Sequence, residues 1–390
     1  MKQHSWGVPS RRRAMIRLAL LTATSAASIS YSPAARAEQA QAEPAQQGGI
    51  GDIIVTARKR QETTQDVPVS VVAISAERMQ QYDLSSLERV AAQTPSFSIG
   101  RTPSGSGATL VLRGIGSNTT SIGLEQSVAV IVDGAYYGQG RTINEGFFDL
   151  GRMEILKGPQ ALFFGKNATA GAVSITTADP GDELEIIARA GYEFTAQQVY
   201  GEAIVSSPLS ETLGIRVAAR ASKQFDGYYR QVGTAQPYPT IDRTSMAVPG
   251  PTTIHVSDPA GDGRAKEAYM RGTLKWEPSE TFTALLKANY GINENNNPSA
   301  GSVVYYCPTG ALASNPAIAC DRRFASSANR TPTDIAASLP FSNANGQQGN
   351  QYKSWAVNLG LTWSMDDLTV SSVTNYNWNR NTFQFDADSV

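Results

Sequence analysis

The chain has 390 residues, 41% of them apolar and 17% charged, with 33 basic against 34 acidic side chains, so two or more domains with real cores are possible. Residues 1–37 hold six of the basic and none of the acidic side chains; without them the balance is 27 against 34, which argues against a nucleic-acid partner. With only two cysteines, and with His4 and His255 as the only histidines, there is little material for a metal centre.

The first 37 residues read as an export signal. Arg11, Arg12, Arg13 and Arg17 precede a modestly apolar stretch over 18–29, and Ala35-Arg36-Ala37 supplies the small-residue cleavage pattern. The stretch is rich in Thr, Ser and Ala and falls short of the roughly 20 apolar residues of a spanning helix. Residues 38–51 are rich in Gln, Ala, Pro and Gly and form a flexible lead-in. A short apolar strand follows, made by Asp52, Ile53, Ile54, Val55, Thr56 and Ala57.

Residues 58–180 read as one α+β domain. A β-rich run over 68–74 leads to a helix signal at Ser75-Ala76-Glu77-Arg78, and a second helix is predicted over 85–92, stopped by Thr94-Pro95. Short strands are predicted over 109–113, 128–132, 152–156 and 172–176, with Gly-rich turns such as Asp133-Gly134 between them. Phe164-Gly165-Lys166 is not a phosphate loop, because no Gly stands five residues before Gly165 and Asn167 occupies the Ser/Thr position.

From residue 183 the pattern changes to long alternating strands. Trp355, Val357, Leu359, Leu361 and Trp363 alternate with small or polar residues, and the eight-residue interval spans about 26 Å at roughly 3.3 Å per residue. Tryptophan at both ends suits the aromatic girdles that flank an apolar band of about 25 Å. Met270, Gly272, Leu274 and Trp276 alternate with Arg271 and Lys275 in the same way. A soluble sandwich also alternates, but here the connections alternate between short and long, except for the short first outward loop 194–198, and the long ones, 225–266 and 291–352, are polar, as in a membrane barrel. Cys307 and Cys320 lie in one such loop, on a chain sent to an oxidising compartment. They are expected to form a disulfide rather than part of a metal site.

The segments DIIVTARKRQETTQDVPVSV (52–71), LVLRGIG (110–116), VIVDGAYYG (130–138) and RMEILKGPQALFFGKNATAGAVSITT (152–177) together resemble the TonB-dependent outer-membrane receptor family, siderophore receptors included. The resemblance implies a plug domain followed by an antiparallel transmembrane β-barrel, incomplete here at about seven of 22 strands. It implies the outer membrane as location and TonB, with its inner-membrane motor complex, as partner. An iron-siderophore complex is the default ligand, with vitamin B12, carbohydrate and aromatic compounds as alternatives. Residues 52–57 would be the TonB box, an extended segment able to add to a partner's sheet edge.

Ligand contacts are expected from plug-apex loops, with Arg101, Tyr136, Tyr137 and Arg141 suited to an anionic or aromatic ligand. Arg113, Glu154 and Lys157 are expected to face a polar lumen. No cofactor is implied, and no catalytic constellation is present, so an enzyme is not expected. A passive porin or adhesin would need neither plug nor box. The low strand count and the absence of a terminal aromatic residue suggest a sequence fragment or truncated receptor, and the short stretch before residue 52 leaves no room for an extra signalling domain.

Overall fold

A computed structural model of the chain describes residues 54–55, 62–63, 67–101, 107–117, 124–226, 230–231, 235–241, 252–258, 264–296, 303–304, 325–326, 329–338 and 345–384. The export signal, the lead-in, Asp52, Ile53, Thr56, Ala57, Cys307 and Cys320 lie outside these residues.

Strand β1 (Ile54–Val55) pairs antiparallel with β2 (Glu62–Thr63). Strand β3 (Ser70–Ser75) runs directly into α1 (Ala76–Gln81), where the Ser75 side chain accepts from the Arg78 N–H and Glu77 sits in the first turn, both favourable at a helix start. Ser86 caps α2 (Leu87–Gln93) in the same manner, and the helix buries Leu87, Val90 and Ala91 before stopping at Thr94, ahead of Pro95. Next come β4 (Phe97–Arg101), β5 (Ala108–Leu112) and β6 (Ile115–Gly116), which form a small antiparallel sheet.

Strands β7 (Val128–Val132) and β8 (Ala135–Tyr137) form a hairpin, followed by a 3-10 turn over Gly140–Asn144, β9 (Leu150–Lys157), α3 (Ala161–Phe164) and β10 (Gly171–Thr177). The two-residue turn of the hairpin is Asp133-Gly134, both with positive φ (48° and 79°), which matches the twist of the flanking strands. The plug sheet has the order β3-β9-β10-β7-β8, with β10 and β7 parallel. Both faces are covered, which explains the unbroken run Val128-Ala129-Val130-Ile131-Val132. Val128 and Val130 pack with Met153, Ile155 and the helix residues Leu87 and Val90, while Ala129 and Ile131 pack on the other side with Leu156, Ala172 and Val55.

Seven long strands then form one antiparallel sheet, with the loop elements of the two long connections between them. In chain order these are β11 (Glu185–Glu193), β12 (Gln198–Ser210), β13 (Leu213–Gln224), β14 (Arg230–Gln231), β15 (Gln236–Ile241), β16 (Thr252–Ser257), β17 (Ala265–Ser279), β18 (Phe282–Asn295), β19 (Val303–Val304), β20 (Ala325–Ser326), α4 (Thr333–Ser338), β21 (Gly349–Met365) and β22 (Leu368–Gln384). The large sheet has the order β11-β12-β13-β17-β18-β21-β22, an open array rather than a closed barrel.

The polarity of this sheet is inverted relative to a water-soluble protein. On the face toward the plug Arg216, Arg271 and Lys287 are 8%, 6% and 3% exposed, while on the other face Ile186, Tyr376 and Trp363 are 69%, 65% and 55% exposed. A soluble sandwich would show the reverse. Lipid is the surrounding that makes this arrangement favourable. The aromatic residues of the outer face gather at two levels. Tyr290, Trp355 and Trp378 are direct cross-strand partners near the long-loop end, and Phe282 pairs with Trp363 near the short-turn end, where Trp276 meets the Phe282 ring edge-on. Among the described residues no helix is long and apolar enough to cross a membrane.

Both predicted plug helices and all seven predicted barrel strands are found, the last strand ending at Gln384. The long connections carry more order than their polarity implied. Strands β15 and β16 pair over six residues, and His255 of β16 contacts Asp334 of α4 across the two loops. One expectation needs correction. Glu154 does not face the lumen: it is 1% exposed within the plug sheet and pairs with Arg152 of its own strand. Lys157 is half-buried and donates to the Pro95 carbonyl at 2.7 Å.

Candidate functional site

The plug meets the wall through three acidic residues placed at turns. Asp133 opens the β7–β8 turn, Asp149 (φ 51°) precedes β9, and Glu145 follows the 3-10 turn. Aspartate tolerates the left-handed backbone better than most residues, so a turn can present its carboxylate outward.

Each carboxylate meets donors on the inner face of the large sheet. Arg216 of β13 grips Asp149, with Nη2 2.6 Å from Oδ1 and Nε 3.0 Å from Oδ2, and also pairs with Glu185 at 2.7 Å. Lys287 of β18 donates to Asp133 (2.9 Å), the Thr177 hydroxyl (2.9 Å) and Asp179 (2.8 Å). Asn358 of β21 donates to the Asp133 carbonyl, while Tyr352 and Ser354 of the same strand donate to the two Glu145 oxygens. Arg271 of β17 donates to the Phe148 carbonyl at 2.8 Å and lies over the Phe148 ring. Charge-assisted bonds of this kind are the strong ones, and burial makes the loss of one partner costly. The Glu145 carboxyl is raised above the usual carboxylate range, chiefly because burial disfavours its charge, against the opposing effect of the Tyr352 and Ser354 hydroxyls.

Gly146 completes the contact. A side chain there would run into the Tyr269 ring, whose hydroxyl donates to the Asn144 carbonyl at 3.0 Å. The missing Cβ therefore lets a wall tyrosine lie against plug backbone.

Val55 is fully buried among Val67, Ala129, Ile131, Leu156, Ala168 and Ala172, so the described part of the expected TonB box is seated on the plug.

Of the four expected ligand residues, Tyr136 and Tyr137 face opposite sides of the plug sheet. Tyr136 and Tyr137 alternate on β8: the Tyr136 hydroxyl accepts from Asn167 at 2.7 Å beside Glu125 and Lys166, whereas Tyr137 packs against the main plug core. The Tyr137 hydroxyl is pushed up to about 12, by burial first and then by the Glu145 charge. Arg141 lies in the 3-10 turn, and Arg101 ends β4. Larger spaces open elsewhere. A cavity of about 520 Å³ between the plug and the inner wall is lined by Asp83, Arg89, Glu193, Arg220 and Glu267 among others, and one of about 330 Å³ adjoins it through Asp83, Tyr200 and Arg220. Among the described residues their lining includes none of Tyr136, Tyr137 and Arg141. No group of three or more His, Cys, Asp or Glu side chains able to hold a metal occurs among the described residues.

The anchors Asp133, Glu145 and Asp149, and the wall residues that receive them, were not singled out from sequence. The usable signal was partial: Arg216, Arg271 and Lys287 share the polar face of their strands, and buried cations require acidic partners.

Comparison with known proteins agrees with this architecture. A profile of the TonB-dependent receptor plug domain matches residues 63–172. Hemin receptors of Yersinia pestis and Yersinia enterocolitica are 25% and 26% identical over 154 residues; each match covers 38% of this chain and 22% and 21% of the relative. Among solved structures, the ferric yersiniabactin uptake receptor FyuA of Yersinia pestis superposes with a TM-score of 0.57 at 16% identity, over 82% of this chain and 42% of that one. The FpvAI chain of its complex with pyocin S2 gives 0.58 at 15% identity, over 83% and 34%. The ferripyoverdine receptor of Pseudomonas aeruginosa gives 0.54 at 14%, over 80% and 34%. At such identities the structures speak for the fold, and the chain spans about a fifth of the length of the curated relatives it matches. The chain therefore carries a domain of the TonB-dependent receptor plug family, followed by an antiparallel sheet that shares its fold with part of the β-barrel of solved outer-membrane receptors.

Proposed function

We propose that the protein takes up a scarce iron complex across the outer membrane, an iron-siderophore as the leading class, with energy drawn from TonB. The observation that carries this reading is the position of residues 52–57 ahead of the plug, with Val55 seated in a plug pocket while the plug itself is anchored to the wall. An extended segment of this kind can exchange its intramolecular strand partner for a partner's sheet edge. A plug held by several buried pairs does not leave the lumen spontaneously, which calls for an external energy source.

Deletion of residues 52–57 in the full gene product tests the proposal. Binding of a ferric siderophore to cells is expected to persist while iron accumulation is lost; accumulation at the undeleted rate would overturn TonB coupling. A second reading, haem as cargo, is favoured by the matches to hemin receptors. Growth on hemin but not on ferric siderophores as sole iron source would select it.

A further inference from the structure

Beyond residues 1–37 the chain has a single histidine, His255, and it stands where the two long connections meet. Strand β16 carries it within the connection that joins β13 to β17, and helix α4 carries Asp334 within the connection that joins β18 to β21. Backbone bonds already tie these connections together. The Asn296 N–H donates to the Arg264 carbonyl at their feet (2.7 Å), the Arg330 N–H donates to the Asp258 carbonyl (2.7 Å), and β14 pairs with β20. Backbone amides do not titrate, so these ties are blind to pH.

The side-chain contact is not. His255 Nδ1 is hydrogen-bonded to Oδ2 of Asp334, and Nε2 lies 3.0 Å from the Thr240 hydroxyl of β15. An ionised carboxylate only accepts, so Nδ1 carries a hydrogen. The Thr240 hydroxyl has one hydrogen and the Thr253 carbonyl as its acceptor at 3.5 Å, so it receives rather than donates at Nε2. A ring that donates from both nitrogens is the charged imidazolium. The titratable and charged groups around it are few: Asp334 faces it from α4, Tyr238 stands opposite it on β15, and Asp258 and Arg330 close the far end of β16. Of these residue types histidine alone ordinarily changes charge between about pH 5 and 8. The Asp334 carboxyl is held below its ordinary range: desolvation pushes it up, and the His255 hydrogen bond, the Ile335 N–H and the His255 charge outweigh that.

We propose that His255 and Asp334 form a pH-operated latch that fastens the β15–β16 hairpin to α4 in mildly acidic surroundings and releases it as the surroundings turn alkaline. The sign follows from proton linkage. The fastened form holds a ring proton that the released form gives up, so it weakens as pH rises through the ordinary imidazole range, about 6.5. In strong acid the latch is undone from the other side, as pH falls through the lowered Asp334 value. The device is independent of which ligand enters the lumen: it sets how firmly two long connections are held to each other.

The test uses the full chain folded in detergent, with the histidine ring nitrogens isotopically labelled and the His255 signals assigned by their loss in His255→Gln. Both ring nitrogens are expected to carry a proton at about pH 5.5 and one of them at about pH 8, and Asp334→Asn is expected to move the loss to lower pH. The side chains are 14% and 62% exposed, so solvent screens the pair from the Asp334 side. Amide hydrogen exchange in β16 and α4, corrected for the intrinsic rate, is therefore expected to be about fivefold slower at the lower pH in wild type. His255→Gln and Asp334→Asn are each expected to exchange alike at the two pH values. A wild-type ring in one protonation state throughout, wild-type exchange independent of pH, or a pH dependence that survives in both variants would overturn the latch. If a variant fails to fold, judged by heat-modifiable migration, the wild-type ring and exchange data decide alone.

Discussion

Lys287, on the inner face of the fifth barrel strand, places its Nζ 2.9 Å from Oδ1 of Asp133 in the plug, across 154 positions of sequence. The two side chains are 4% and 8% exposed, so the pair is shielded from solvent and from salt. Lys287→Met would leave Asp133 buried without its cation, at about 3–5 kcal/mol. Urea unfolding of the plug, followed by intrinsic fluorescence, should show the loss, and Lys287→Met/Asp133→Asn should recover part of it. A single variant that unfolds with wild type would remove this pair from the anchoring set.

Glu145 predicts a pH dependence with a definite sign. Its carboxyl is raised by burial, so the native state holds this proton more tightly than the unfolded chain does. Its contribution is therefore fully present below the unfolded value and is lost as pH rises through the raised native value. The stability difference between Glu145→Gln and wild type should shift in favour of the variant as pH increases through that window. A difference independent of pH would show that the carboxylate keeps its charge without penalty.

Val55 holds the described part of the segment proposed as the TonB box in place. Val55→Ala removes two buried methyl equivalents, about 1.5–2 kcal/mol of docking. Limited proteolysis should then cut within residues 52–57 faster than in wild type, with the barrel strands still protected. Equal cutting rates would mean that other contacts fix the segment.

Gly134 is constrained twice. Its φ of 79° disfavours any L side chain, and a Cβ there would lie 3.0 Å from Cγ2 of Val373 on β22. Gly134→Ala is expected to cost roughly 1–2 kcal/mol from backbone strain alone, with the β7–β8 hairpin displaced from the wall. Thermal unfolding would measure it, and an unchanged midpoint would mean that β22 yields without cost.

The barrel strands were legible because lipid and lumen impose opposite demands on successive residues, so Trp355, Val357 and Leu359 announce their face by composition alone. The helix starts at Ser75 and Ser86 were legible for a local reason: a capping oxygen and its N–H lie three residues apart. Strand β4 was missed because it follows Thr94-Pro95 at once, with no periodicity long enough to register. Glu154 was misplaced because a charge in sequence does not show that Arg152, two positions away on the same strand, can reach over to pair with it where it is buried. The anchors were beyond reach for a related reason. That Asp149 meets Arg216, or Glu145 meets Tyr352, depends on how two separately folded layers are laid together, and no local pattern encodes it.

The inverted polarity of the large sheet bears on how the molecule is made. In water its outer face would be a broad sticky panel, and its inner face would lack the plug carboxylates that neutralise its cations. Neither surface is satisfied until bilayer and plug are both in place. Strand pairing, insertion and plug docking are therefore expected to occur as one concerted assembly event, with an escort covering the chain during its passage to the membrane.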